Sequence, residues 1–208
     1  MPAQIRTTSL AVSAVREDLC LAYANTLAWR GSAAPVEQLA DMGALVAWLS
    51  EAEGLGGAAL TKLAARLRRR PVESAALFDD AIALREAIYR VFAALAAGGR
   101  VSDADLAALN RALAAAPPRD RLMRIANGYG WRVDRLAASA PALLAPVLWS
   151  AADLLVRRDV ACIRQCANEQ CLWLFLDMSK GGTRRWCDMA SCGNRAKARR
   201  HYLRSKRG

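Results

Sequence analysis

Four cysteines near the C-terminus form two matched pairs. Cys166 and Cys171 are spaced C-x4-C, 15 residues follow, and Cys187 and Cys192 repeat the same spacing. Four thiolates can surround one zinc ion tetrahedrally, which leaves no open position for a substrate water. The spacing therefore predicts one structural zinc ion per chain, bound by these four residues.

The chain contains two further cysteines, Cys20 and Cys162. Cys162 could compete with Cys166 as a ligand, but only Cys166 and Cys171 reproduce the spacing of the second pair. Free cysteine is among the most frequently buried residue types. We interpret Cys20 and Cys162 as small buried hydrophobic residues.

Basic residues concentrate around the cysteines. Residues 157–208 hold 13 Lys and Arg against four acidic residues, so this quarter of the chain carries +9 of the net charge of +11. On a helical wheel, four basic residues after Cys192 share one face, a pattern suited to backbone phosphates. The candidate nucleic-acid contacts are Arg184, Arg185, Lys197, Arg200, Arg204 and Arg207. The alternative for such a charged face is simple solvation, and Arg195 and Arg199 lie close enough to the inward face for a structural role.

Composition favours helices and a soluble protein. Hydrophobic residues make up 54% of the 208 residues, with only three Phe and four Tyr. Charged residues interrupt the first twenty positions, and the longest apolar stretch, residues 136–148, is shorter than the roughly 20 residues of a membrane span. We expect a cytoplasmic protein without a membrane partner. In a reducing compartment, paired cysteines are better explained by a metal than by disulfides.

Apolar periodicity predicts a helical N-terminal region. The predicted helices cover residues 16–30, 36–53, 58–69, 72–97, 102–116 and 139–156. Ser102 and Asp105 resemble a capping box at the start of the fifth helix. Asn127-Gly128, between two alternating runs, predicts a β-hairpin. The fold class is mainly α with a small β-hairpin.

The cysteine pairs and the segments between them predict a second domain. Residues 172–176 suit a strand, residues 177–183 a turn, and residues 183–186 a partner strand, so the order is treble-clef-like. The predicted domains are residues 1–157, rich in helices, and residues 158–208, the zinc module. About 50 residues bury little apolar surface, so the metal would supply folding energy.

Three short motifs in the cysteine module resemble the CGNR zinc-finger family. They are Cys192-Gly193-Asn194-Arg195, Arg185-Trp186-Cys187 and Phe175-Leu176-Asp177. In bacterial members of that family the finger follows an N-terminal domain called ABATE, and the pair is regarded as a stress-related transcription regulator. The resemblance implies four cysteine ligands and a nucleic-acid role for the finger.

The N-terminal region resembles the ABATE domain through residues 21–27, LAYANTL. The family usually has an aspartate where this chain has Ala22, so a polar role at that position is not expected here. Asn25 and Thr26 could face a pocket, or they could bond to neighbouring backbone groups. The resemblance implies a sensory or regulatory domain and names no effector.

The function that these observations predict is DNA-binding regulation of transcription, with DNA as partner. The alternatives are a finger that binds RNA or protein, and an enzyme acting through the N-terminal domain. An enzyme is disfavoured because the only histidine is His201 in the basic tail and no nucleophile motif occurs. The sequence leaves homo-oligomerisation open.

Overall fold

The computed structural model describes residues 10–12, 15–52, 58–126, 128–133, 139–157 and 160–206. Helices dominate this part of the chain, and three small antiparallel sheets accompany them, which confirms the predicted fold class. The helices are α1 (Leu19–Ala24), α2 (Met42–Glu51), α3 (Ala58–Leu67), α4 (Pro71–Ala96), α5 (Asp103–Ala115), α6 (Ala140–Leu143), α7 (Ala145–Val156) and α8 (Asn194–Ser205).

The three sheets are short. The largest has the order β1 (Leu10–Val12), β5 (Gly128–Val133), β4 (Leu122–Ile125), and the others pair β2 (Leu27–Ala28) with β3 (Val36–Glu37) and β6 (Ile163–Gln165) with β7 (Leu174–Leu176).

The predicted hairpin is formed by β4 and β5, with Ile125 opposite Gly128. Gly128 has a φ of 125°, which only glycine adopts easily. Asn127 lies outside the described residues.

Helix α4 is the centre of the core. Its buried face includes Leu77, Ala81, Leu84, Ile88 and Phe92, which recur at the three- and four-residue spacing of one helical face. Pro71 occupies the first turn, where its missing N–H has no partner to lose, and Gly98, with a φ of 71°, follows the last turn. Ile163 of β6 and Leu174 of β7 belong to the same core cluster. The C-terminal strands therefore pack onto the N-terminal helices.

Local capping explains where several helices begin. The Ser102 hydroxyl accepts from the Asp105 backbone N–H at 3.1 Å, which confirms Ser102 as the cap of α5. The capping box is only half formed, because the Asp105 carboxylate accepts from the Ser102 hydroxyl at 2.8 Å instead of from the Ser102 backbone N–H. Asp41 accepts from Ala44 N at 2.8 Å, so α2 begins at Met42, later than predicted. The prediction of a helix from residue 36 was wrong because Val36 and Glu37 pair with β2.

Two other predicted helices are shorter or interrupted. The first ends at Ala24 instead of residue 30, because Thr26 bonds back to Tyr23 O at 2.7 Å and the chain turns into β2. The last N-terminal helix is divided at Leu144 into α6 and α7, and Pro146 occupies the first turn of α7, where its missing N–H has no intrahelical partner. No helix in the described ranges is long and apolar enough to cross a membrane.

A buried arginine ties β3 to α4. The Arg85 side chain is 2% exposed and donates to both Glu37 carboxylate oxygens at 2.7 Å and to Glu86 at 2.9 Å. Burial opposes ionisation of Glu37, but the hydrogen bonds from Arg85 outweigh this effect and hold the pKa of Glu37 below its usual value. Arg30 extends the network, since it pairs with Glu86 at 2.6 Å and lies 3.8 Å from the Tyr89 ring centroid.

The Arg85 network yields a first prediction. Arg85→Ala leaves Glu37 and Glu86 without their shared cation and should lower the free energy of unfolding by about 3 kcal/mol, measured by urea denaturation. Arg90→Ala, on the same helix, is the control, because Arg90 is 55% exposed and Asp105 is its one acidic partner among the described residues. It should cost less than about 1 kcal/mol. Equal losses for the two variants would contradict the central role of Arg85.

Candidate metal centre and basic helix

The structure brings the four paired cysteines together. The Sγ atoms of Cys166, Cys171, Cys187 and Cys192 all lie within 4.8 Å of one another. Cys166 follows β6 and Cys171 precedes β7, whereas Cys187 precedes a π-helical turn, Met189–Gly193, and Cys192 lies within that turn. Cys20 and Cys162 are not part of this cluster.

The sulfur separations fit a tetrahedral ion. Cys171 Sγ lies 3.7 Å from Cys187 Sγ, and Cys187 Sγ lies 3.8 Å from Cys192 Sγ. A tetrahedron of thiolates at a zinc–sulfur distance of about 2.3 Å has sulfur–sulfur edges of roughly 3.8 Å. The donor set and the spacing of the donors therefore suit one zinc ion.

Close packing of the thiols makes their charge states interdependent. Hydrogen bonds from the Cys171 and Cys187 thiols lower the pKa of Cys166 to about 2. The same bond to Cys166 raises the pKa of Cys171 to about 12, and the pKa of Cys187 is also raised. Thiols that donate hydrogen bonds to one thiolate remain protonated themselves. Four thiolates can therefore coexist in this cluster only around a cation. Metal binding would displace those protons.

Backbone hydrogen bonds shape the first cysteine turn. Cys166 N donates to Trp173 O at 2.8 Å, and Cys171 N donates to Asn168 O at 2.8 Å. The Asn168 side-chain amide lies 3.6 Å from Cys192 Sγ and can donate to that sulfur. Asn168 thus joins the first pair of cysteines to the second and stabilises negative charge on a ligand. Sequence reasoning missed this residue because nothing in the local pattern of the chain places it near Cys192.

The second cysteine turn is closed by Asp188 and a glycine. Asp188 accepts from Ala190 N at 3.0 Å, and its carbonyl accepts from Gly193 N at 3.0 Å. A Cβ atom on Gly193 would lie 2.7 Å from Met189 Sδ and 3.5 Å from the Trp186 ring. The buried glycine therefore lets the chain pass under these two side chains as it enters α8.

The predicted hairpin between the cysteine pairs was wrong. β7 pairs with β6 instead of residues 183–186, with Ile163 opposite Leu176. Asp177 closes the loop in place of the expected strand pairing, because its buried carboxylate accepts from Ser179 N at 3.0 Å and Arg184 N at 2.9 Å. Residues 183–186, the returning segment, instead contact the first cysteine turn, where Ala167 N donates to Arg185 O at 2.8 Å.

The two arginines of the returning segment, Arg184 and Arg185, differ in the contacts that their guanidinium groups make. The Arg184 guanidinium donates to the carbonyls of Trp186 and Cys187 and lies 4.5 Å from the Phe175 ring centroid. It stabilises the loop around the metal ligands. Arg185 is exposed, with its guanidinium 5.5 Å from the Trp186 ring centroid. Of this pair, Arg185 is better placed to reach a partner.

Helix α8 presents exposed basic side chains. Lys197, Arg199 and Arg204 are exposed, and no acidic side chain in the described part of the chain pairs with them. Arg195 is exposed at its edge, but its guanidinium lies 4.4 Å from the Trp29 ring centroid. Arg207 and the side chain of Arg200 lie outside the described residues.

Asn25 and Thr26 bond to backbone groups. The Asn25 amide donates to Leu174 O at 2.8 Å and accepts from Leu174 N at 2.9 Å, so it mimics a strand partner for β7. Thr26 donates to Tyr23 O. Ala22 lies beside them in the wall of a cleft of about 570 Å³ between α1 and β7. Cys20 is buried, and burial raises the pKa of its thiol to about 12, as expected of an inert core residue.

Comparison with known families agrees with this geometry. A family model named ABATE, described as a putative stress-induced transcription regulator, matches residues 17–158. A second model, the CGNR zinc finger, matches residues 163–205. A search of curated proteins finds no match. The two matches confirm the resemblance seen in the sequence motifs and identify the four clustered cysteines as a site for one zinc ion.

The metal centre yields a second prediction. Elemental analysis of the purified protein should find about one zinc atom per chain. Cys171→Ser and Cys187→Ser should each lose most of it, because a hydroxyl is a poor replacement for a thiolate in the tetrahedral set. Cys20→Ser and Cys162→Ser are the matched controls and should keep their zinc. Full occupancy in the Cys187→Ser protein would show that Cys187 is not a ligand.

Proposed function

Because the chain belongs to the ABATE family and carries a CGNR zinc finger, we propose that it regulates transcription by binding duplex DNA through the finger. The zinc ion is structural in this proposal, because four cysteine ligands leave it no open position. Cys166, Cys171, Cys187 and Cys192 would hold the ion. The ion would supply folding energy and fix the start of α8, which begins two residues after Cys192.

The observation that carries the proposal is the group of exposed cations on one helix, α8. In the N-terminal region some exposed cations, such as Lys62 and Arg111, also have no acidic partner among the described residues, but eight arginines there form ion pairs: Arg16, Arg30, Arg66, Arg70, Arg85, Arg90, Arg100 and Arg119. The exposed cations of α8 have no such partner within the described ranges. A positive surface without internal counter-charges favours a polyanionic partner.

The spacing on α8 suits a phosphate backbone. Lys197 and Arg204 are seven residues apart, which is about 10.5 Å along a helix that rises 1.5 Å per residue. Successive phosphates of one strand are roughly 3.4 Å apart along the duplex axis and further apart along the backbone, because the strand winds around that axis. The two cations are therefore far enough apart to contact different phosphates of one strand, and Arg200 lies between them in sequence. Such contacts would position the finger without reading the bases.

Sequence recognition would fall to a different residue. We propose Arg185 for this role, because its side chain is exposed beside Trp186 at the surface of the returning loop. Arg184 is a weaker candidate, since its guanidinium is engaged with the carbonyls of Trp186 and Cys187. An arginine that reaches a base edge typically contributes to specificity as well as affinity.

A regulatory role for the N-terminal domain belongs to the same proposal. The cleft between α1 and β7 has a volume of about 570 Å³, and Cys187 contributes to its lining. A small effector bound there would lie next to the metal centre. We do not propose enzymatic activity, because the single histidine, His201, lies in α8 and the sequence offers no nucleophile with a base.

The DNA proposal yields a third prediction. With three to four phosphate contacts, log affinity for duplex DNA should fall against log salt with a slope of about −3 to −4. The double variant Lys197→Ala, Arg204→Ala should flatten that slope by about two, because each cation neutralises one phosphate. Fluorescence anisotropy with a labelled duplex measures both quantities.

The matched control is the double variant Lys62→Ala, Arg111→Ala. Lys62 and Arg111 are exposed residues of α3 and α5, so the two substitutions remove the same charges from the N-terminal region. Its salt slope should equal that of the unaltered protein. Equal slopes for all three proteins would contradict the role of α8. Displacement of the duplex by a smaller concentration of single-stranded RNA would favour the RNA alternative.

A further inference from the structure

Backbone strain concentrates where the N-terminal domain meets the finger. Among the described residues other than glycine, only Trp29 and Leu172 have a left-handed backbone, with φ values of 55° and 58°. They lie on opposite sides of the same contact, Trp29 before Gly31 and Leu172 directly after Cys171. Bulky residues adopt this conformation only where their surroundings enforce it. The contact is therefore a specific arrangement that the rest of the fold maintains.

The two backbones approach each other too closely for a side chain. Gly31 N donates to Gln170 O at 3.2 Å. A Cβ atom on Gly31 would lie 1.9 Å from Glu169 O and 3.0 Å from Leu172 Cδ1. The first cysteine turn is thus held directly against the loop that carries Trp29.

Helix α8 has few buried anchors among the side chains that the structure describes. After Ala196, which is half-buried, every α8 side chain that the structure describes is exposed. Among the described side chains, those that can set the direction of the helix therefore lie at its start. Cys192, two residues before α8, belongs to the metal cluster, and Arg195 lies over the Trp29 ring with its guanidinium carbon 4.4 Å from the centroid.

Trp29 also contacts the metal cluster. Its partly buried ring packs against the group formed by Cys166, Cys171 and Cys192. One face of the N-terminal domain thus reaches both the ligands and the helix that follows them. A ring held by a strained backbone and packed on the ligands gives the Arg195 guanidinium a fixed surface to stack on.

We propose that Trp29 is a positioning residue for nucleic-acid binding, which orients α8 through Arg195 so that Lys197 and Arg204 reach the same strand together. The inference rests on the proposed DNA binding. It makes the N-terminal domain part of the binding unit, although Trp29 itself touches no nucleic acid. Arg195, the arginine of the C-G-N-R motif, then acts mainly through its contact with Trp29 and not through direct contact with DNA.

The decisive variant is Trp29→Ala in the full chain. Alanine keeps the Cβ atom, so the left-handed backbone is as strained as before and only the ring is lost. Duplex affinity should fall by roughly two- to thirtyfold, the range that corresponds to one cation–π contact, and the salt slope should flatten. Zinc content should stay at one per chain. Trp29→Tyr, which restores an aromatic face, should recover most of the affinity.

A thermodynamic cycle separates positioning from general damage. If Trp29 acts through Arg195, then Trp29→Ala should have little further effect on affinity in an Arg195→Gln background. Arg199→Gln is the charge-matched control, because Arg199 lies one turn further along α8 without a stacking partner in the described residues. Trp29→Ala should weaken the Arg199→Gln protein as strongly as it weakens the unaltered one. Fully additive losses for Trp29→Ala and Arg195→Gln would overturn the inference.

A measurement without nucleic acid distinguishes this inference from the function it rests on. Amide residual dipolar couplings of α4 and α8 should fit one common alignment in the unaltered protein and two in Trp29→Ala. If Trp29→Ala loses zinc, Arg195→Gln tests the same contact from the finger side. A common alignment in both variants would overturn the inference, whether or not DNA binds. Failure of the unaltered protein to bind any duplex would instead remove the proposed function.

Discussion

Mutual repulsion among four sulfur atoms is the constraint on which the C-terminal part depends. Atoms held within 4.8 Å of one another cannot all be thiolates unless a cation lies between them. The two cysteine turns, the loop closed by Asp177 and the start of α8 all converge on this cluster. Few apolar side chains of this segment are buried, so charge neutralisation has to supply what a hydrophobic core supplies elsewhere.

The metal is not the only source of order for the finger. Ile163 and Leu174 are 1% and 2% exposed within the core around α4, and Asn25 bonds to both backbone groups of Leu174. Tyr89 adds a polar connection, since its hydroxyl donates to Leu172 O and accepts from the Gln165 amide. Through Arg30, that tyrosine belongs to the same network as Arg85 and Glu86. Apolar burial and hydrogen bonding thus connect the cysteine turns to the N-terminal helices.

The sequence predicted the features that depend on local spacing. The C-x4-C spacing of each cysteine pair, the long helix α4, the helix cap at Ser102 and the hairpin around Gly128 each follow from residues within a few positions of one another. The contacts that were not predicted join separate segments of the chain. β7 pairs with β6 because Asp177 closes the loop that would have carried its partner, and the sequence alone does not reveal that choice. Asn168 and Trp29 likewise acquire their roles from residues 24 and 166 positions away.

The close approach at Gly31 has a consequence for the history of the protein. A zinc finger that can move between proteins as a self-contained unit must carry its own packing surface. Here the first cysteine turn rests on a glycine backbone of the preceding domain, and the strand that follows fills that domain's core. Residues 163–205 joined to an unrelated domain would leave Ile163 and Leu174 in water and Arg195 without its ring. The finger and the helices before it are therefore expected to be inherited together.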